Sequence, residues 1–311
     1  MRKNIIFFLF GLCLSLPILA QDCDIPLRTL VNQSESEYSS ANVADYISNR
    51  LRSIVSNSGN MSSLENSQFA LVFDYNVFDK QIVDGVPTKI IYEISTNYHI
   101  IDLKSNNIFA SYSQNIKGIG NNEQKALLNT FQKINPNNPQ LKTFIQNGKN
   151  KIVDFYNKNY KNIIKEAQAL ASTRHYDNAI YNLMMIPQCC IGYEEALSVM
   201  LDVFQQFVDQ HCNENLAQAR AAWISAPNRE GAISASIFLS EIYPDAACYD
   251  EAMALANEIK KKMGDEWKFT MKQWDDNVSL ERQRIDAIRE IGIAYTLSHS
   301  GQSPKPNKEK Q

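Results

Sequence analysis

The hydrophobic period of this chain changes once, and that change limits the fold more than any other feature. In "FALVFDYNVF", from residue 69, Leu71, Phe73, Tyr75 and Val77 fall on one side and Asp74 and Asn76 on the other. In "KIIYEISTNYHIIDL", from residue 89, Ile90, Tyr92, Ile94, Thr96, Tyr98 and Ile100 share one side, with Glu93, Ser95, Asn97 and His99 opposite. Alternation of this kind is the signature of a half-buried strand. "IFASYSQNI" follows a turn-forming run, Lys104-Ser105-Asn106-Asn107. The three segments predict an antiparallel meander with one buried and one wet face, its first loop at "VDGVP", 83–87. From Leu141 onward the period is helical.

Helices are also expected around the strands. Val43, Ile47, Leu51 and Ile54 recur at helical spacing after Ser39-Ser40, which can cap the helix, and Ser58-Gly59-Asn60 stops it. Residues 21–38 are polar and read as extended. Gly118-Ile119-Gly120 reads as the turn ending the last strand, and Asn121-Asn122 caps a helix carrying Leu127, Leu128, Phe131 and Ile134. Asn135-Pro136-Asn137-Asn138-Pro139 then breaks the chain. With 311 residues, two cores of ordinary size are available. The expectation is an α+β protein: an α/β domain with long antiparallel strands over 21–139, an all-α helical-repeat domain over 140–298, and a basic, Pro-containing tail over 299–311 that does not fold.

The repeat rests on two near-copies, "CCIGYEEAL" and "ACYDEAMAL". In each, an Ala-rich helix is followed by a polar turn. An Ala-Ile pair (Ala179-Ile180, Ala232-Ile233) opens a second helix, a proline (Pro187, Pro244) ends it, and Tyr-x-Glu-Ala (Tyr193 to Ala196, Tyr249 to Ala252) opens a third. The offset is 53 at the Ala-Ile pair, 57 at the proline and 56 at the tyrosine. Helices that cannot bury their apolar faces alone stack on near-copies of themselves. Tyr176, Ala179, Tyr193, Ala196, Tyr249 and Ala252 are therefore the expected packing residues of the joints. "SLERQRIDAIREIGIAYTL" places Ile285, Ile288, Ile291 and Tyr295 on one face and is expected to cap the stack.

Arg2 and Lys3, the apolar run "IIFFLFGLCLSLPIL" and Ala20 have the layout of a secretory signal peptide cut near Ala20. Neither Cys13 after Leu12 nor Cys23 after Asp22 fits a lipid-acceptor site. The mature protein is expected to be periplasmic or secreted, with no membrane span. In such a compartment disulfides form. Of the five cysteines left, Cys23, Cys189, Cys190, Cys212 and Cys248, a bridge from Cys189 or Cys190 to Cys212 or Cys248 is expected; the alternative is that all pack as small apolar groups.

The phrase "YHIIDLKSNNIFASYSQNIKGIG" followed by "NNEQKAL" resembles the periplasmic α/β domain of the penicillin-binding-protein activator LpoB and the curli-secretion lipoprotein, related to the N-terminal domain of TolB. The resemblance covers 40–135 and implies a domain that acts by binding partners, without catalytic residues. "RHYDNAI" at 174–180 resembles tetratricopeptide repeats, and the likeness extends over 160–262. That resemblance too implies protein–protein contacts.

Chemistry-bearing patterns are sparse. His99, His175, His211 and His299 form no metal-ligand motif. Gly118-x-Gly120 lacks the remainder of a phosphate-binding loop. Glu194-Glu195 and Asp250-Glu251 suit helix starts, and Lys260-Lys261-Lys262 suits a helix end. Trp267 and Trp274 lie two turns apart on an expected helix. A formal charge of −3 excludes the basic footprint of a nucleic-acid binder. No cofactor or metal is expected, and no catalytic residue. The function expected is that of an exported, non-enzymatic scaffold or adaptor for a protein partner in the cell envelope. The alternative is an envelope enzyme or ligand-binding protein acting on glycans in an interdomain groove.

Overall fold

The structure, a computed structural model, describes residues 24–32, 41–59 and 67–299. The expected signal peptide and the Ser39-Ser40 cap lie outside these residues; of the expected tail only His299 is described, as the end of the last helix.

Four strands form one sheet in the order β1 (Leu27–Val31), β2 (Phe69–Val83), β3 (Lys89–Asp102), β4 (Ile108–Gly120). The last three make the expected antiparallel meander. The structure adds β1, which runs parallel to β2 and reaches it through α1 (Ala41–Asn57). "LRTLV" is too short to show a period, yet Leu27 is wholly buried. Leu71, Phe73, Tyr92, Ile94, Tyr98 and Ile100 form the buried face, all 0 % exposed. Their rings interlock edge to face, as in Phe73 on Tyr98 (5.1 Å) and Tyr75 on Phe131 (4.9 Å), the arrangement that ring quadrupoles favour. A bulge between Val77 and Asp79 reverses the alternation of β2, so that Lys80 lies opposite Tyr92.

The buried face is covered by α1, α2 (Glu123–Phe131) and the first half of α3 (Pro139–Ser172). Asn122 caps α2, its side chain accepting from the Lys125 N–H, and Asn138 caps α3 ahead of Pro139. Gly118 and Gly120 are not turn residues, as the sequence reading had them. The run does end β4, as expected, but both belong to the strand, Gly120 as its last residue, and a Cβ would collide with the Thr130 backbone and with the Ala126 backbone respectively. Their missing side chains let α2 press directly on the strand.

At 34 residues, α3 spans about 50 Å. Its first half buries Leu141, Ile145, Ile152 and Tyr156; its last turns bury Ile164, Ala167 and Ala171, and it packs on both β4 and the helices that follow. Those are α4 (Tyr176–Met184), α5 (Tyr193–Ser225), α6 (Arg229–Ser240) and α7 (Tyr249–Met263); after an extended segment, α8 (Leu280–His299) returns onto α4.

A constant offset of 56 relates α4 and the start of α5 to α6 and the start of α7. Ala179 and Ala235, Leu183 and Leu239, Ile186 and Ile242, Ala196 and Ala252, Val203 and Ile259 are all 2 % exposed or less. The turns share a hydrogen-bond pattern: N–H groups of Ile186, Cys190, Tyr193 and Ala196 donate to Leu183, Pro187, Cys190 and Gly192, and those of Ile242, Ala246, Tyr249 and Ala252 to Leu239, Tyr243, Ala246 and Cys248. This replaces two pairings expected from sequence. Ile233 is 53 % exposed where Ile180 is buried, so Ala179 matches Ala235 and not Ala232; Pro187 matches Tyr243 and not Pro244. The lengths differ upstream, because α6 has 12 residues where α4 has 9.

Candidate functional site

The six expected joint residues fall at helix starts. Tyr176, Tyr193 and Tyr249 are the first residues of α4, α5 and α7, each half-buried, and Ala179, Ala196 and Ala252 are fully buried one turn on. The tyrosines differ in what they touch. Tyr176 meets Phe207 edge-on (6.4 Å). The Tyr193 hydroxyl is 3.4 Å from the Gln188 amide, whereas that of Tyr249 donates to the Lys272 carbonyl at 2.6 Å and pins the extended segment before α8. Burial pushes the Tyr249 hydroxyl above the ordinary phenol range.

The cysteines pair differently from expectation. The bridge joins Cys212 in α5 to Cys248 at the start of α7. Cys189 is also disulfide-bonded, and Cys190 is a free, buried thiol. Cys190 is buried, 3.9 Å from the Val153 carbonyl, while its neighbour Cys189 is exposed. Burial raises the Cys190 thiol to about 11.

Other marked residues are scattered. Trp267 and Trp274 lie on an extended segment, not on a helix; one tilts on Phe269 (5.2 Å), the other on Tyr243 (5.8 Å). Glu194, Glu195, Asp250 and Glu251 occupy first turns, and Lys260 to Lys262 a last turn. His99 joins a polar row across the wet sheet face, with Ser111 at 2.9 Å and Asp74 at 3.8 Å. Among the described residues no group of three or more His, Cys, Asp or Glu could hold a metal ion, and no helix is long and apolar enough to cross a membrane.

Where sheet and helices meet, side chains satisfy one another. Buried Asp102 accepts from the Gln68 amide (3.1 Å), the Tyr156 hydroxyl (3.3 Å) and the Lys104 N–H (2.9 Å). The Lys104 ammonium bonds Asn182 on α4 and lies 4.7 Å over the Tyr181 ring; desolvation lowers its pKa although Asp102 works the other way. Burial raises Tyr156 and Tyr181. The result is a polar seam that ties β3 to α3 and α4.

Open space lies elsewhere, along β4. This strand ends the sheet, so its outer N–H and C=O groups have no strand partner among the described residues over 13 positions. Beside that edge runs α3, and two grooves of about 800 and about 490 Å³ follow one another between them. Ser111 to Gln114, Gln140, Thr143, Phe144 and Asn147 line the first; Asn107 to Phe109, Asp154, Phe155 and Lys158 line the second; Lys151 borders both. The floor is braced by the Tyr112 hydroxyl donating to Gln140 Oε1 (2.9 Å) and by the Tyr112 ring on Phe144 (5.8 Å). None of these residues was singled out from sequence as a site residue. Alternation reveals which face of β4 is buried but not that the strand lies at an edge.

No protein-family model matches the chain, and no curated protein matches it. Among solved structures, its N-terminal part is similar to a protein assigned as a lipoprotein from Caulobacter crescentus CB15, at 10 % identity and a TM-score of 0.27, covering 38 % of this chain and 89 % of that one. It is likewise similar to a minor lipoprotein from Acinetobacter baumannii, at 14 % identity and a TM-score of 0.26, covering 38 % and 91 %.

Proposed function

We propose that this protein is an exported, non-enzymatic adaptor of the bacterial cell envelope, and that the open edge of β4 receives an extended segment of a protein partner. The observation that carries the reading is the juxtaposition of a long edge without a strand partner among the described residues and grooves that run beside it along α3. Strand addition supplies main-chain hydrogen bonds for affinity and lets alternate side chains enter the groove for specificity. The signal-peptide layout of residues 1–20 and the Cys212–Cys248 disulfide support export, because such bridges persist in oxidising compartments. In this reading the helical part is two copies of one tetratricopeptide-like unit, supported by the matched burial and turn hydrogen bonds at an offset of 56.

The test fills the groove without touching the core. Thr143 and Asn147 are exposed, one turn apart on α3, and line the larger groove. Affinity capture from an envelope fraction is expected to return a stable protein partner with the parent chain. Thr143→Arg/Asn147→Arg is expected to lose it while melting like the parent. Equal recovery by both would place the partner elsewhere.

A further inference from the structure

The two helical units differ in how their shorter helices, α4 and α6, are covered. In the first, α8 lies on α4 against Tyr181 and Met184, on the stripe that begins at Asp177. The Tyr181 and Tyr295 rings are 4.8 Å apart, and Gly292 sits so close that a Cβ would strike the Met184 sulfur. Because Gly292 precedes Tyr295 while Met184 follows Tyr181, α8 runs antiparallel to α4. At the 56-residue offset the same stripe on α6 begins Ile233, Ile237. These two isoleucines are 53 % and 61 % exposed. Among the described residues no second helix covers them, since α8 is already used on α4.

The charges along the stripe say what covers it. Arg229, Ile233, Ile237 and Glu241 follow one another at four-residue steps, all exposed. Arg229 stands in the first turn of α6 and Glu241 at its C-cap. Both signs oppose the dipole of α6 itself, which favours anions at its start and cations at its end. Neither side chain forms an ion pair among the described residues. For an antiparallel neighbour the signs are correct. Its carbonyl-rich C-terminus would lie over Arg229 and its N–H-rich N-terminus over Glu241.

We infer that the Arg229–Ile233–Ile237–Glu241 stripe of α6 is a docking site for an amphipathic helix of a partner protein, seated antiparallel as α8 is seated on α4. This rests on the two-unit reading of the helical part, but not on the β4 edge, which is a different surface with a different probe. The occupant needs apolar residues at i, i+3 or i+4 and i+7, with a small residue at the crossing. Ile288, Ile291, Gly292 and Tyr295 of α8 show that pattern.

The probe is a fluorescent synthetic α8 peptide, residues 280–299, titrated into the purified full chain and followed by anisotropy. Saturable binding is expected, weakened at least tenfold by Ile233→Arg/Ile237→Arg. A second variant, Arg229→Glu/Glu241→Arg, is expected to weaken binding while melting no lower than the parent, because its charges then suit α6 itself. Absence of binding, or binding indifferent to both variants, overturns the proposal. Sedimentation of the parent as a dimer that Ile233→Arg/Ile237→Arg converts to monomer also overturns it, because the occupant is then a second copy of this chain.

Discussion

At the residue scale, close packing is set by what is missing. Gly118 faces the Thr130 backbone, which cannot rotate away as a flexible side chain can. Gly118→Ala is therefore expected to cost about 1–3 kcal/mol, as overpacking does, in urea melts. Gly85→Ala is expected to change little, since a Cβ there meets only the Pro87 carbonyl oxygen at an ordinary 3.6 Å. From sequence, Gly118 and Gly120 carried only a general turn signal; their role depends on α2, which begins three residues after Gly120 and folds back over them. Cys190 offers a second residue-scale test. Its thiol is raised from 9.0 to about 11 by burial, so the folded chain keeps the proton where the unfolded chain loses it. The stability this contributes is complete below pH 9 and declines as pH rises from 9 towards 11. Stability measured by denaturant melts across that window is expected to fall more steeply in the parent than in Cys190→Ala. Below pH 9 iodoacetamide is expected to label Cys190 only on unfolding.

At the element scale, the two Tyr-x-Glu-Ala joints are held differently. The second is locked by the Cys212–Cys248 bridge across a separation of 36 residues. Closing a loop of that size restrains the unfolded chain by about 3–4 kcal/mol. Cys212→Ala/Cys248→Ala is expected to lose stability of that order, and addition of reductant should lower the melting temperature of the parent but that of the double variant much less. The joints were legible because Tyr-x-Glu-Ala recurs, and their alignment was not, because α6 has three more residues than α4. Ala232 and Ala235 are both buried; what breaks the Ala-Ile pairing is Ile233, exposed where Ile180 is buried, together with turn hydrogen bonds that recur at an offset of 56. The same burial logic predicts that Ala179→Leu and Ala235→Leu destabilise alike, by about 1–3 kcal/mol, while Ile233→Leu is silent in thermal melts. Strand β1 and the disulfide partners were illegible for a related reason: both are defined by contacts distant in sequence, not by local pattern.

At the scale of the whole molecule, α3 packs on both the sheet and the later helices, and the Asp102 seam links β3 to α3 and α4. The meander, the covering helices and the α+β class could be read from periodicity alone. The surfaces open to a partner could not, since whether β4 ends the sheet or the α6 stripe is covered depends on every other element. Asp102→Ala leaves the Tyr156 hydroxyl and the Lys104 N–H without their acceptor, and the Gln68 amide with only the Tyr156 oxygen. It is expected to lower stability by about 1–3 kcal/mol and to speed amide exchange at the β3 end and in α4 together.

The adaptor reading is tested most directly in living cells, by a photo-crosslinking amino acid placed singly at Thr143, inside the β4–α3 groove, or at Gln146, exposed on α3 but outside the groove lining. One discrete protein adduct from Thr143 and none from Gln146 is the predicted result. No adduct from Thr143, or the same adducts from both, would contradict it.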